Sequence, residues 1–332
     1  GTPTALCPKL LLSVVNEIKD DYYESENMEF TVEMNPATSD YKTLRRLRRA
    51  GVNRISIGLQ SADEAELRAL GRIHTKEEFE ESFLQARDAG FDNINIDVMF
   101  GIPGQTESSL LETLSYAVSL SPEHISLYNL ILEEGTPLWR KRAQLALPSE
   151  NEEYGMYEAA IAYLADNGYA QYEISNFARP GFECRHNLRY WHSEEYLGFG
   201  PGAHSYFAAR RFGIVKDTAQ YIEIMKGKPK QLPADMLSEN EHIDRRGALI
   251  EYIMLRLRLC EGIDPADFKA RFGGDFEAVF GKKCELYIKH GFMKHENGRY
   301  ALTPKGMFVS NTILASLLPG SANAAKKGSP AR

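Results

Sequence analysis

The stretch Asn93-Ile94-Asn95-Ile96-Asp97-Val98-Met99-Phe100-Gly101-Ile102-Pro103-Gly104-Gln105-Thr106 constrains this chain more than any other. It alternates polar and apolar residues, turns wholly apolar, and then breaks at Gly101-Ile102-Pro103-Gly104. A strand that enters a buried sheet and leaves by a tight turn has this pattern. Thr106 is placed to cap a following helix, with Ser109 three residues on. Asp97 therefore falls near the carboxyl end of a strand, the rim at which parallel α/β barrels bind ligands. A carboxylate in an apolar stretch is costly unless something pairs with it. That favours a ligand-facing role over a local cap.

The rest of the chain repeats the pattern. Cys7 to Tyr23 carries apolar residues at helical spacing, and Glu29 to Pro36 is a strand stopped by a proline that cannot donate to a ladder. A helix from Ser39 ends at Gly51, and Asn53 to Gln60 is the next strand, followed by helices over 63–70 and 76–89. After the Asp97 strand come a helix over 106–119, a strand over 124–130, a helix over 150–166 and a strand from Tyr169 to Ile174. Strands alternating with helices imply βαβ units and a parallel sheet with right-handed crossovers. Five such strands after the opening loop fit an incomplete barrel better than a closed eightfold one.

From about residue 175 the alternation stops. Asn176 to Tyr206 is dense in aromatics, glycines and histidines and reads as an irregular, site-like stretch. Residues 226–235 read as a linker, and 238–318 as a small helical domain whose segment 291–303 forms a hairpin, giving a winged-helix shape. The expected division is a barrel over 1–175, a site segment and linker over 176–235, a C-terminal domain over 236–318 and a disordered tail over 319–332.

Composition narrows the function classes. The 332 residues carry a net charge of −7, so the chain lacks the basic footprint of a nucleic-acid binder, and the winged-helix shape is not read as a DNA module. No apolar run reaches membrane-spanning length and none of these residues reads as a signal peptide. Four scattered cysteines read as reduced thiols, which favours the cytoplasm. Cys184, two residues before His186, reads as a small buried hydrophobe rather than a thiolate ligand. The chain opens at Gly1 in what reads as the middle of a loop, so residues are expected ahead of it.

Polar residues recur where successive segments end: Thr2, Glu33, Gln60 and Asp97, with Arg72 shortly after the second of these strands. Several at equivalent rim positions suggest one polar ligand held from several sides. Glu33 suits an ammonium or a sugar hydroxyl, Arg72 a carboxylate through its bidentate fork, and Asp97 a hydroxyl or amine. For any single residue, a helix cap or a surface ion pair is the plain alternative.

These positions also carry a resemblance. Gly1-Thr2-Pro3-Thr4, Glu33-Met34-Asn35-Pro36, Arg54 to Ser61, Leu70-Gly71-Arg72-Ile73-His74 and Asp97 to Thr106 closely resemble the radical S-adenosylmethionine (SAM) proteins of the oxygen-independent coproporphyrinogen III oxidase family. The resemblance continues through Tyr172 to Ala178, His186-Asn187-Leu188-Arg189-Tyr190-Trp191 and Gly198 to Ser205, and covers the chain to about residue 318. The His-Asn-x-x-Tyr-Trp run is similar to the HemW-type heme chaperones of that family rather than to its oxidases.

The resemblance implies an α/β fold, a partial (β/α)6 barrel without its first strand, joined to a small helical C-terminal domain. It implies SAM contacts at Gly1, Thr2, Glu33, Gln60, Arg72 and Asp97, and a heme site at His186, Asn187, Tyr190 and Trp191, with no catalytic residue assigned. Imidazole is a common axial ligand of heme iron and aromatic rings offer apolar faces to a porphyrin, although a satisfied loop histidine is the plain alternative for His186. Tyr172, Glu173 and Asn176 are further candidates for the same cavity, and His204 reads as structural. The implied function is binding heme and delivering it to respiratory apoproteins, which leaves room for peripheral membrane association; oligomeric state is not readable. The alternatives are an oxygen-independent coproporphyrinogen III dehydrogenase and a cluster-free barrel that binds SAM or a porphyrin. The family's [4Fe–4S] cluster sits on a Cys-x3-Cys-x2-Cys loop expected ahead of Gly1, so no cluster ligand is assigned within this chain.

Overall fold

All seven residues of Arg54–Gln60 are buried, so this strand lies within the core of the first of two compact units, residues 1–183 and 184–332. In the computed structural model of the protein, residues 2–21 and 27–318 are described. Gly1, Tyr23 and the expected tail over 319–332 lie outside them.

The first unit runs α1 (Pro8–Asp21), β1 (Thr31–Met34), α2 (Tyr41–Arg49), β2 (Arg54–Gln60), α3 (Glu64–Ala69), α4 (Lys76–Asp88), β3 (Ile94–Phe100) and α5 (Glu107–Ser119). It continues with β4 (His124–Asn129), the short α6 (Pro137–Arg140), α7 (Glu150–Asp166), β5 (Ala170–Glu173) and β6 (Asn176–Ala178). The strands form one sheet in the order β1-β2-β3-β4-β6-β5, parallel from β1 to β4.

Here the structure differs from the simple parallel reading. β6, in the stretch expected to be irregular, pairs antiparallel with both β4 and β5. The strand expected over 169–174 is therefore at the sheet edge, separated from β4 by a strand of three residues. A segment that short carries no periodicity of its own.

The buried face of the sheet carries Val32, Ile55, Ile57, Ile94, Ile96, Val98, Ile125 and Phe177, each 5% exposed or less. Burying one such aliphatic side chain stabilises the fold by about 2 kcal/mol. The helices start where their caps place them. Thr75 makes a reciprocal cap with Glu78 on α4; Thr106 makes one with Ser109 on α5, as the sequence predicts.

The second unit comprises α8 (Arg185–Trp191), β7 (His204–Phe207), β8 (Arg210–Ile214), α9 (Thr218–Lys226), β9 (Leu237–His242), α10 (Arg245–Arg256), α11 (Pro265–Phe272), α12 (Phe276–Lys289), β10 (Met293–Glu296), β11 (Arg299–Leu302), α13 (Pro304–Phe308) and α14 (Ser310–Leu317). The small helical domain expected over 238–318 contains helices α10 to α14, and its hairpin over 291–303 is present, β10 and β11 pairing antiparallel. The antiparallel sheet β7-β8-β9 has no counterpart in the sequence reading. Its strands are short and β9, Leu-Ser-Glu-Asn-Glu-His, is almost wholly polar.

Candidate functional site

Register decides which polar side chains meet. On the face of the first unit's sheet away from the aliphatic core, Glu33, Ser56, Asn95 and His124 lie in one row across β1 to β4. The next row holds Gly58, Asp97, Ser126, Asn176 and Glu173 across β2, β3, β4, β6 and β5. Side chains of one face repeat every two residues, so these two rows form a continuous polar floor.

Asp97 is at the fourth of seven strand positions, further inside than the rim position expected. Its carboxylate accepts from Asn95 Nδ2 at 2.8 Å and from Ser56 Oγ at 3.1 Å. Loss of water raises its pKa above the ordinary carboxylate range. The Asn95 and Ser56 bonds oppose that shift, and nearby Glu33 adds to it. Glu33 is exposed on the same face. Tyr128, one step beyond Ser126, has its pKa pushed up to about 12 by desolvation first, then by Asp97, Glu173 and Glu33.

Gln60 ends β2 at a shift of register and takes a φ of +68°, a left-handed backbone rare for a residue with a side chain. Its amide folds back over Gly58, where a Cβ would stand 2.6 Å from Gln60 Nε2. Beside it, Asn35 Nδ2 donates to Thr2 Oγ1 at 2.8 Å, and Thr4 and Thr38 join at 2.6 Å. These bonds bring the opening segment to the end of β1. Arg72 follows α3; its guanidinium has no hydrogen bond or ion pair among the described residues. Two residues on, the ring of His74 sits 3.2 Å from Leu59 O.

Glu66 organises the loops around this floor, and sequence reading missed it. It is 5% exposed, and its carboxylate accepts from Ser61 Oγ at 2.6 Å, Gln105 Nε2 at 2.9 Å and Ser109 Oγ at 2.6 Å. One side chain thus ties the exit of β2, the turn after β3 and the start of α5. In that turn Gly101 has φ +76°, and a Cβ there would lie 2.8 Å from Asn129 Oδ1. Asn95 and His124 were also missed. Their alternation within apolar strands was the available signal.

The second candidate group lies on α8, which the sequence reading took as irregular. His186 and Tyr190 are four residues apart and so share a helix face, as do Asn187 and Trp191. That spacing was a helical signal in the motif itself. His186 is exposed; its ring meets Tyr190 edge to face at 4.8 Å between centroids, and Tyr190 meets Tyr196 the same way at 4.5 Å. Trp191 lies under the Arg258 guanidinium at 5.9 Å, and Asn187 is half-buried. Cys184 is buried. His204 lies 3.2 Å from Glu239 across β7 and β9. A cavity of about 320 Å3 in this unit is lined by His192, Arg256, Glu261, Asp264 and Arg299 among others. Its charges are matched internally, with Arg256 and His192 at 3.0 and 3.1 Å from Glu261.

Among the described residues, no three His, Cys, Asp or Glu side chains are placed to hold a metal ion. No helix among them is long and apolar enough to cross a membrane.

Comparison with known proteins gives one family picture. The Radical SAM superfamily model matches residues 1–117, and the HemN C-terminal domain model matches residues 243–309. The heme chaperone HemW of Bacillus subtilis is 34% identical over 325 residues, covering 96% of this chain and 83% of that protein. The heme chaperone HemW of Escherichia coli is 31% identical over 320 residues, with 96% and 82% covered. In structure, the chain resembles the coproporphyrinogen III oxidase HemN of Escherichia coli, described as a radical SAM enzyme. The TM-score is 0.80 at 22% identity, over 96% of this chain and 76% of that one. That likeness establishes the α/β radical SAM fold with its C-terminal helical domain.

Proposed function

We infer the function from one premise: this chain belongs to the heme chaperone HemW family, within the Radical SAM superfamily. The chain is a heme chaperone, binding heme through the α8 segment and passing it to an apoprotein, with respiratory heme proteins as the acceptor class. The observation that carries the site is the exposed His186, held edge to face by Tyr190, itself braced by Tyr196. An exposed imidazole of fixed orientation supplies an axial ligand, and Tyr190 and Trp191 supply apolar faces for the macrocycle. Tyr196 joins the residues assigned to this site.

SAM is proposed to lie on the polar floor of the first unit. Glu33 and Asp97 present carboxylates to its ammonium or ribose hydroxyls, Arg72 a guanidinium without an internal partner to its carboxylate, and Gln60 and Thr2 further hydrogen bonds. The fold-back of Gln60 over Gly58, where a Cβ would intrude, fits a backbone shaped around a ligand. Gly1 is assigned by resemblance alone. In the family the [4Fe–4S] cluster supplies reductive chemistry toward SAM. The described residues do not offer it a ligand set.

Hemin titration of the protein, followed at the Soret band, tests the chaperone reading. The expected result is saturable binding that His186→Ala weakens about tenfold or more, roughly 1.4 kcal/mol. Turnover of coproporphyrinogen under anaerobic reducing conditions, with hemin binding indifferent to His186, would instead support the oxidase reading, to which the structural likeness contributes the fold alone.

A further inference from the structure

We propose that Asn95 is the positioning residue for Asp97, and that His124 and Tyr172 lock Asn95 in the one orientation that serves it. This rests on Asp97 facing a ligand, as proposed above. The four residues come from three strands, β3, β4 and β5, and nothing in the family comparison assigns this role to Asn95, His124 or Tyr172.

The direction of every bond follows from one fact, that an ionised carboxylate only accepts. Asn95 must therefore turn its amide nitrogen to Asp97 Oδ1, at 2.8 Å, and the same nitrogen reaches Ser56 Oγ at 2.7 Å. Ser56 in turn donates to Asp97 Oδ2 at 3.1 Å. The amide oxygen of Asn95 then faces His124 Nδ1 at 2.6 Å and Ser126 Oγ at 3.1 Å, and both must donate to it. That fixes the hydrogen of His124 on Nδ1 and leaves Nε2 as an acceptor, filled by the Tyr172 hydroxyl at 2.8 Å. Both donors and both acceptor sites of the Asn95 amide are used, as are both ring nitrogens of His124.

The surroundings hold this arrangement in place. His124 is fully buried. Desolvation first, and then Arg54, press its pKa well below the ordinary histidine range, so the ring stays neutral. The remaining titratable groups on the floor are Glu33 from β1 and Tyr128 from β4 beside Asp97, with Glu173 from β5 acting on Tyr128. Asn95 and Ser56 are the leading donors that oppose its neutralisation, with Ser126 a weaker third. A fully satisfied buried network specifies one arrangement, whereas a partly satisfied one does not.

The test uses the whole chain and three readouts: the His124 tautomer by nitrogen-15 NMR, the titration of the Asp97 carboxyl by carbon-13 NMR with Asp97→Asn as the assignment control, and SAM affinity by calorimetry. Wild type is expected to show the Nδ1–H tautomer. Asn95→Ala is expected to raise the pKa of Asp97 further and weaken SAM binding about tenfold. Tyr172→Phe, which removes one hydroxyl and keeps the ring, is expected to move both in the same direction, with affinity falling about threefold. Asn95→Ser provides the milder variant should Asn95→Ala not fold. If Asp97→Asn binds SAM as wild type does, the placement of the ligand is wrong. If Asp97→Asn loses binding while the Asn95 and Tyr172 variants keep wild-type affinity and an unchanged Asp97 titration, the positioning role is overturned. An Nε2–H tautomer overturns it as well, whether or not SAM binds.

Discussion

At Gly58 the backbone has room for a methyl group only if Gln60 moves, because the added Cβ would stand 2.6 Å from the end of that side chain. The atom in the way is the tip of a flexible amide, and Gly58 is not among the residues with a left-handed backbone. Gly58→Ala is therefore expected to displace Gln60 without unfolding the sheet. Stability in a urea titration should change by less than about 1 kcal/mol, while SAM affinity drops. A large loss of stability with unchanged affinity would contradict the site. The polar residue types at strand ends were legible in sequence: Glu33, Gln60 and Asp97 all lie on the floor that the register assembles. The partners that give Asp97 its environment were not legible, because Ser56, which meets it, and His124, which meets Asn95, are remote in sequence and arrive only through strand pairing.

Among the elements, α3 shows how a helix of six residues can control loops from three others. Its sequence, Glu-Ala-Glu-Leu-Arg-Ala, reads as a solvated surface helix, and Glu64 does pair with Arg68 at the surface. Glu66 instead turns inward and satisfies three donors from the segments after β2 and β3. Glu66→Ala leaves those donors without a partner in a buried place, and a cost of about 3 kcal/mol is expected. Equilibrium urea unfolding measures it; Glu66→Gln, which keeps shape and part of the accepting capacity, should cost less. The long helices α4, α5 and α7 were legible to within about a residue because caps and apolar spacing agree there. β6 and α8 were not, since a strand of three residues and a helix of seven give pattern reading too little length to work with.

For the whole molecule, the buried histidines of the first unit set a pH dependence. The pKa values of His124 and His74 are both depressed, each by desolvation first. Below the unfolded histidine pKa of about 6.5 the unfolded chain takes up protons that the folded chain refuses, so stability falls as pH falls. For His124 the slope approaches about 1.4 kcal/mol per pH unit below 6.5. Urea unfolding between pH 7.5 and 5 is expected to show this loss, and His124→Asn to flatten it. An unchanged slope in the variant would mean that other groups carry the dependence. Asp97, whose pKa burial raises, acts in the opposite sense and offsets part of that loss.

Sequence by itself determined the α/β class, the order of the first five long strands and their helices, and the polar residues at the strand ends. Each of these follows from local periodicity, capping and turn chemistry within a window of a few residues. Tertiary structure alone decided that β6 pairs between β4 and β5, that Glu66 points inward, and that Tyr172, His124, Asn95 and Asp97 form one directed chain of hydrogen bonds. The physical reason is range. A hydrogen bond between residues 29 or 48 positions apart is fixed by strand register, and register is set by how the aliphatic faces of all the strands pack together.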